Sequence, residues 1–546
     1  VSDAGSGAAL TRVAIDGAVR AATLLSVRGG ELVGRDLALR QATGRGLSAD
    51  GGQVDLERVH VRDIRGSEAA GLQASGSSGR LVHLDVAQVF RVGLLLNRDR
   101  LGARPGVFEV RDVRISGVVR TLTDIARDVG GSGAGVVVTA PNTVTLDGLR
   151  TELTAGPGLL ALDDGAVLRG GRVAVVDSGN LDGGQVDGGG VVIARGADAE
   201  LRDVRVARSV AQGLFVSEAR ARVHSLSVQD VRVGEVDDAD SATRDGEGIA
   251  AVDADLEVTQ FRVVDATTAG VLVGRGEARL ERGAILGTRL LRQPDGGLFA
   301  AGVLVLGGRT VVADVGLADN AGPGVVAGGG ASVDLAGLIV NDPAKRHPFA
   351  YGIVSLATAQ VRVRDSYVNY PAFAGLLAVS GTLEAHNLSI GGARPGLESD
   401  TTYCVWANDR GVVRLSDVTL VQCGEVAIGA FQSTVDAERV AIVGEGDAEG
   451  DAIYADLDST VTLRGFRIEG HDGNGLVVSD SAATLNGGWI VANATAVLRQ
   501  RISTVRQTAV RFLANDKDEV VCSETCYERP PPVATIQAPP PPPPLQ

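Results

Sequence analysis

Aliphatic and polar residues alternate with period two along most of the chain, in short runs separated by turns. Such alternation puts successive side chains on opposite faces of a β-strand. Four segments show the unit clearly: "GVVVTAPNTVTLDGLRTELTAGP" (135–157), "GVVIARGADAELRDVRVARSVAQ" (190–212), "GVLVLGGRTVVADVGLADNAGP" (302–323) and "GIVSLATAQVRVRDSYVNYPAFA" (352–374). Each opens with Gly and an alternating aliphatic triplet. A turn follows, then a second alternating segment, a third, and a loop that ends at the next Gly. Related starts recur at Ala22, Gly46, Gly71, Gly93, Gly135, Gly158, Gly190, Gly213, Ile249, Gly270, Gly302, Gly324, Gly352, Gly375, Cys404, Ile428, Ile453 and Gly475.

The common interval, about 22–24 residues, belongs to solenoids, and a propeller blade would need about 40–50. Three strands per repeat, joined by turns too short for a helix, make one coil. Stacked coils set equivalent positions above one another at about 4.8 Å, as in a parallel sheet. The recurrent Gly is expected where a corner demands either positive φ or close backbone approach. The fold class is therefore all-β, a single-stranded parallel β-helix of about eighteen three-strand coils.

On this coil pattern, exemplified by "GVLVLGGRTVVADVGLADN", the chain resembles the right-handed parallel β-helices of the pectate-lyase-like superfamily over roughly residues 22–500. No catalytic signature of that superfamily accompanies the match. Its members include polysaccharide lyases, hydrolases, epimerases, phage tailspikes and adhesins. The resemblance implies a carbohydrate-facing or surface role and no particular reaction.

The pattern divides the chain into an N-terminal segment or truncated first coil (1–21), the β-helix (22–497), a cap (498–528) and a tail (529–546). The cap is expected because an open solenoid end exposes unpaired strand edges. The tail, "RPPPVATIQAPPPPPPLQ", reads as a stiff spacer or a docking strand for a protein partner.

Composition sharpens this picture. Glycine, 74 of 546 residues, is about twice its usual share, while aromatics are scarce and Met is absent. Stacked aliphatic rows need no such fillers. A net charge of −15 argues against a nucleic-acid partner, since phosphates need a basic face. No apolar run is long enough for a transmembrane helix. The chain starts at Val1 without Met, so a removed leader is expected. Cys404 and Cys423 lie nearly one repeat apart, and Cys522 and Cys526 lie close together. Neither pair is a CxxC motif, so two disulfides are expected. They place the chain in an extracellular, periplasmic or outer-surface compartment of a bacterium.

Insertions at 180–189, 234–248, 291–301, 342–351 and 392–403 all fall between a third strand and the next coil start, so they should emerge at one corner. A further insertion falls at 99–107 or 121–134, depending on register. The loop "GEVDDADSATRDGEG" (234–248) offers Asp237, Asp238, Asp240, Asp245 and Glu247 as calcium ligands, although the spacing fits no EF-hand. A solvated acidic loop is the plain alternative.

The segments 341–352, 365–375 and 391–406 hold much of the chain's scarce aromatic content: Phe349, Tyr351, Tyr367, Tyr370, Phe373, Tyr403 and Trp406, with Arg394 nearby. Aromatic faces suit sugar rings, so these eight residues are the expected ligand-binding set, for a polysaccharide or a surface protein. Loop packing is the structural alternative. A lyase reading would use Lys345 or His347 as base, Arg346 to neutralise a uronate carboxylate, and Tyr351 or Tyr403 as acid. His60, His83, His224, His386 and His471 read as surface residues. The sequence thus favours a surface binder without a required cofactor, followed by a lyase-like enzyme and by a structural or assembly protein.

Overall fold

The computed structural model describes residues 7–17, 21–98, 105–119, 133–179, 189–233, 246–292, 298–341, 351–393, 402–444, 450–524 and 527. They fall into two compact units, the first built mainly from Val1–Thr268 and the second from Ala269–Arg275 and from Arg279 onward. Each unit is a right-handed parallel β-helix, with no helix among the described residues. That hand is the one L-residue strands favour when a connection returns to a parallel neighbour.

Within a coil a short strand is followed by a long one. In the first unit Gly189–Ala194 pairs in parallel with Gln212–Ser217, and Asp198–Ala207 pairs with Arg220–Val231. In the second unit Ala374–Val379 pairs with Tyr403–Asn408, and Thr382–Gly391 with Val412–Val421. The long strand is really two strands, because one residue inside it turns the chain through a left-handed conformation. Asp36, Asp112, Asp203, Asp314, Asp365 and Asp417 occupy this corner at φ near 50°. Asp tolerates that region because its short side chain can bond locally. The sequence pattern of three strands per repeat is thereby recovered, with a corner built mostly on Asp, Asn and Arg as well as Gly.

The coil-starting glycines answer a different need. Gly190, Gly213, Gly352 and Gly375 are not among the positive-φ residues. A Cβ at Gly190 would lie 2.3 Å from Val206 Cγ1 and 2.5 Å from the Gly213 carbonyl oxygen. Of the two expected reasons for Gly, close approach is the operative one. The column stays small after the glycines stop, running Gly375, Cys404, Ala427, Ala452 and Gly475. The starts expected at Ile249, Ile428 and Ile453 are one residue late, since Gly248, Ala427 and Ala452 hold the equivalent place.

The interior consists of aliphatic columns. Val191, Ile193, Leu201, Val204 and Val206 supply one coil, each at most 1% exposed. Complete burial of such side chains stabilises by roughly 1.5–3 kcal/mol each. Both ends continue the ladder: Gly7–Thr11, in the segment expected as an N-terminal segment or truncated first coil, pairs with Glu31–Arg35, and Thr504–Leu513, in the region expected as a cap, pairs with Ala482–Val491. Lys517–Cys522 likewise pairs with Thr495–Gln500.

The strands flanking the expected insertions put them at one junction, between a long strand and the next short strand. The described part of one carries a small antiparallel pair, Leu291–Arg292 with Leu298–Phe299. Residues 99–104 are the exception, since they follow the short strand Val92–Asn97. Cys404 and Cys423 form a disulfide, with Cα atoms 5.1 Å apart. Cys522 is disulfide-bonded as well, and Cys526 lies outside the described residues.

Candidate binding surface

The first half of each long strand buries its aliphatic residues and turns its charged residues outward. In the second unit the parallel register stacks these into two columns. Asp334, Arg362, Glu384, Arg414 and Asp436 form one. Arg364, His386, Ser416, Glu438 and Arg464 form the other. Together they line a groove of about 760 Å³.

The first column alternates in sign from coil to coil. Arg362 lies 3.9 Å from Asp334 and 3.3 Å from Glu384, and Arg414 donates to Glu384 at 2.7 Å. Arg464 donates to Asp436 at 2.7 Å across the columns. Individually such exposed pairs add little stability. They do hold long side chains extended over the groove. Arg364 has no ion-pair partner among the described residues, so its guanidinium is available to an anionic group.

His386 brings a third kind of group into the groove. Its Nδ1 lies 2.7 Å from Ser416 Oγ and 3.4 Å from Asp417 Oδ2. A nucleophilic triad needs Ser and Asp on opposite ring nitrogens. Here both meet the same nitrogen, so the three side chains do not form that arrangement. The hydrogen bonds from Arg439 to Asp417 hold that carboxyl below the ordinary carboxylate range. His60 and His224 make similar outward contacts, with Asp85 at 3.2 Å and Thr259 at 2.8 Å.

The aromatic set divides. Tyr351, Phe373, Tyr403 and Trp406 come together on the outer side of the short strands, with ring centroids 5.2 Å apart for Tyr351–Phe373, 5.3 Å for Phe373–Trp406 and 5.6 Å for Tyr403–Trp406. None exceeds 7% exposure, so they pack on one another instead of facing solvent as an open strip. Burial pushes the Tyr351 hydroxyl well above the ordinary tyrosine range. Tyr367 and Tyr370, on the last segment of their coil and its corner, are 42% and 44% exposed. Tyr370 adopts φ 52° and lies across Gly392, where a Cβ would come within 2.6 Å of its ring.

Lys345, Arg346, His347, Phe349 and Arg394 lie outside the described residues, as do Asp237, Asp238, Asp240 and Asp245 of the acidic loop. Glu247 is described. It is 8% exposed at the start of a strand, and its carboxylate accepts hydrogen bonds from Thr268 Oγ1 and the Gly246 amide, each at 3.2 Å. Among the described residues no group of three or more His, Cys, Asp or Glu side chains is placed to hold a metal ion.

His471 was expected at the surface, in the turn "GHDGNG" (470–475), but is 6% exposed. The turn folds inward because the His471 amide donates to Asn493 Oδ1 at 3.0 Å. Burial lowers its pKa from 6.5 to about 4, against an opposing pull from Asp451 and Asp472. Between those values the unfolded chain binds a proton that the folded chain refuses. Stability is therefore full above pH 6.5 and falls as the solution is acidified towards pH 4, by on the order of 3 kcal/mol at most. Urea unfolding at pH 7 and pH 4.5 should show this loss, and His471→Leu should shrink the difference whatever its own effect at pH 7.

No protein-family model matches the chain, and no curated protein matches it. Among solved structures it is similar to the surface protein and adhesin PfbA of Streptococcus pneumoniae, at 7% identity over 76% of this chain and 91% of that one, with a TM-score of 0.18. At that TM-score the likeness carries no functional argument. Among the described residues no helix is long and apolar enough to cross a membrane.

Proposed function

We propose that the chain is a non-enzymatic, surface-binding β-helix that holds an extended polysaccharide along the charged groove of its second unit. One observation carries this reading: a column of alternating carboxylate and guanidinium groups repeats in strict register, coil after coil, beside a second column of mixed charged and polar groups. A polymer of hydroxyls needs both donors and acceptors along its length, and the alternation offers both. Arg364 adds a cation for a carboxylate-bearing sugar. Tyr367 is exposed just beyond the Asp365 corner, on the adjoining face of the coil. The Cys404–Cys423 disulfide fits an oxidising, extracytoplasmic setting.

A glycan array with the full chain, repeated with Arg364→Ala and Arg414→Ala, tests this. Binding to one or more uronate-containing glycans is expected, with affinity falling about tenfold in each variant if each loses a charge-assisted contact of roughly 1.4 kcal/mol. Unsaturated uronate products accumulating in the same samples would establish the lyase reading instead. Equal signals from parent and variants would place binding away from the groove.

A further inference from the structure

The outer side of the short strands in the second unit is apolar where a solvent-facing strand would be polar. Leu304, Val326, Val354, Leu377, Trp406 and Tyr454 stand on this side in one column, broken only by Gly429. None is more than 3% exposed. In the first unit the equivalent positions begin Ser26, Ser48 and Gln73; of those that follow, Leu95, Val192 and Phe215 are only half-buried, and Val137 and Leu160 are buried in a smaller apolar cluster. Outward residues at such low exposure require a cover. Trp406 adds a polar requirement, since its Nε1 is buried with no hydrogen-bond partner. A buried indole N–H ordinarily finds an acceptor.

We propose that the Pro-rich segment 529–546 of this chain docks along this column as a polyproline II strand. Tyr527, the last described residue, already stands on this face beside Tyr454, three coil steps back from Val520, where the column ends after Val477 and Leu498. Its hydroxyl donates to Asp451 Oδ2 at 2.9 Å, its amide donates to Gln500 Oε1 at 3.0 Å, and its ring lies 6.4 Å from that of Tyr454. Between Val520 in the last strand and Tyr527 beside Tyr454 the chain has turned back across this face, so its continuation is directed towards lower residue numbers, along the rest of the column. The six coil steps from Tyr454 to Leu304 measure about 29 Å. Eighteen residues of polyproline II reach about 56 Å, which spans them with length to spare.

The chemistry agrees with the geometry. Nine prolines lie beyond Tyr527, and Arg529 is the one charged residue in 529–546. Polyproline presents carbonyl oxygens and no N–H at its Pro residues, so the runs 530–532 and 539–544 can supply the acceptor that Trp406 needs without burying new backbone donors. Its rings pack on aromatic surfaces, and its stiffness lowers the entropy lost on docking. The inference concerns a different face from the charged groove and stands independently of what the groove binds.

The test reads Trp406 directly. In a Trp489→Phe background Trp406 is the sole tryptophan. The full chain should resist acrylamide quenching. A chain ending at Tyr527 should show a severalfold larger quenching constant and red-shifted emission, and a synthetic 529–546 peptide added in trans should reverse both. A second variant keeps the length of the tail but carries Pro539→Gly through Pro544→Gly. It should expose Trp406 as well, and it decides the matter if the shortened chain loses its strand signal in circular dichroism. Unchanged quenching in the folded variants, or no effect of the peptide, would overturn the proposal. Sedimentation velocity should show a protected monomer. Protection confined to a dimer would assign the face to the tail of a second copy and overturn docking within one chain.

Discussion

Replacing Trp406 with Ala should destabilise the second unit by about 3–5 kcal/mol, the usual loss when a buried tryptophan is truncated. The side chain is fully buried and touched by the rings of Phe373 and Tyr403. Its removal would leave a cavity that rigid parallel strands on either side cannot collapse. Trp489 provides the internal comparison. It is 44% exposed and lies under Arg511, whose guanidinium carbon is 4.9 Å from the ring. Trp489→Ala should cost about 1 kcal/mol or less. Chemical unfolding followed by circular dichroism, read as paired midpoints, separates the two. Equal midpoints would mean that Trp406 packs against nothing firm.

Gly190→Ala should be nearly as damaging. The new methyl would sit inside contact distance of a buried side chain and of a backbone carbonyl in the next coil. The carbonyl cannot move without breaking its ladder bonds, so a loss of about 3 kcal/mol is expected. The same column accepts Ala427 in the second unit, where the coil has adjusted to it. Ala427→Gly should therefore cost only about 0.5–1 kcal/mol, the entropy of an added glycine in a strand. Thermal melts and native-state proteolysis of both variants test the pair together. A harmless Gly190→Ala would show that the coils can separate locally at little expense.

The period and the alternation made the solenoid legible, because they are local properties that stacking repeats. The Cys404–Cys423 bond was legible for the same reason, since one coil returns the chain to its starting corner. Corner chemistry was harder to read. Asp203 and Asp365 sit in "LRDVRV" and "VRDSYV" and look like outward polar residues of an ordinary strand, although each turns the chain. The aromatic cluster was located, but its exposure was not. Period two assigns Trp406 away from the coil interior and Tyr403 begins the same strand, and nothing local reports whether that outer side is covered. The charged groove escaped notice because its columns exist only across coils. Arg362, Glu384 and Arg414 are 22 and 30 residues apart in sequence and adjacent in register. A column-by-column alignment of the repeats would have revealed their alternating sign.

The Cys404–Cys423 bond has a mechanical consequence. Parallel coils held by lateral hydrogen bonds can peel one at a time when a chain is pulled, each releasing its contour as it leaves the stack. The bond joins residues 19 apart, so the coil it closes cannot pay out that length. At about 3.4 Å per residue, roughly 65 Å of extension is withheld until the disulfide is reduced. In a force–extension trace, one step in the second unit should be correspondingly short under oxidising conditions and regain its full length in reductant.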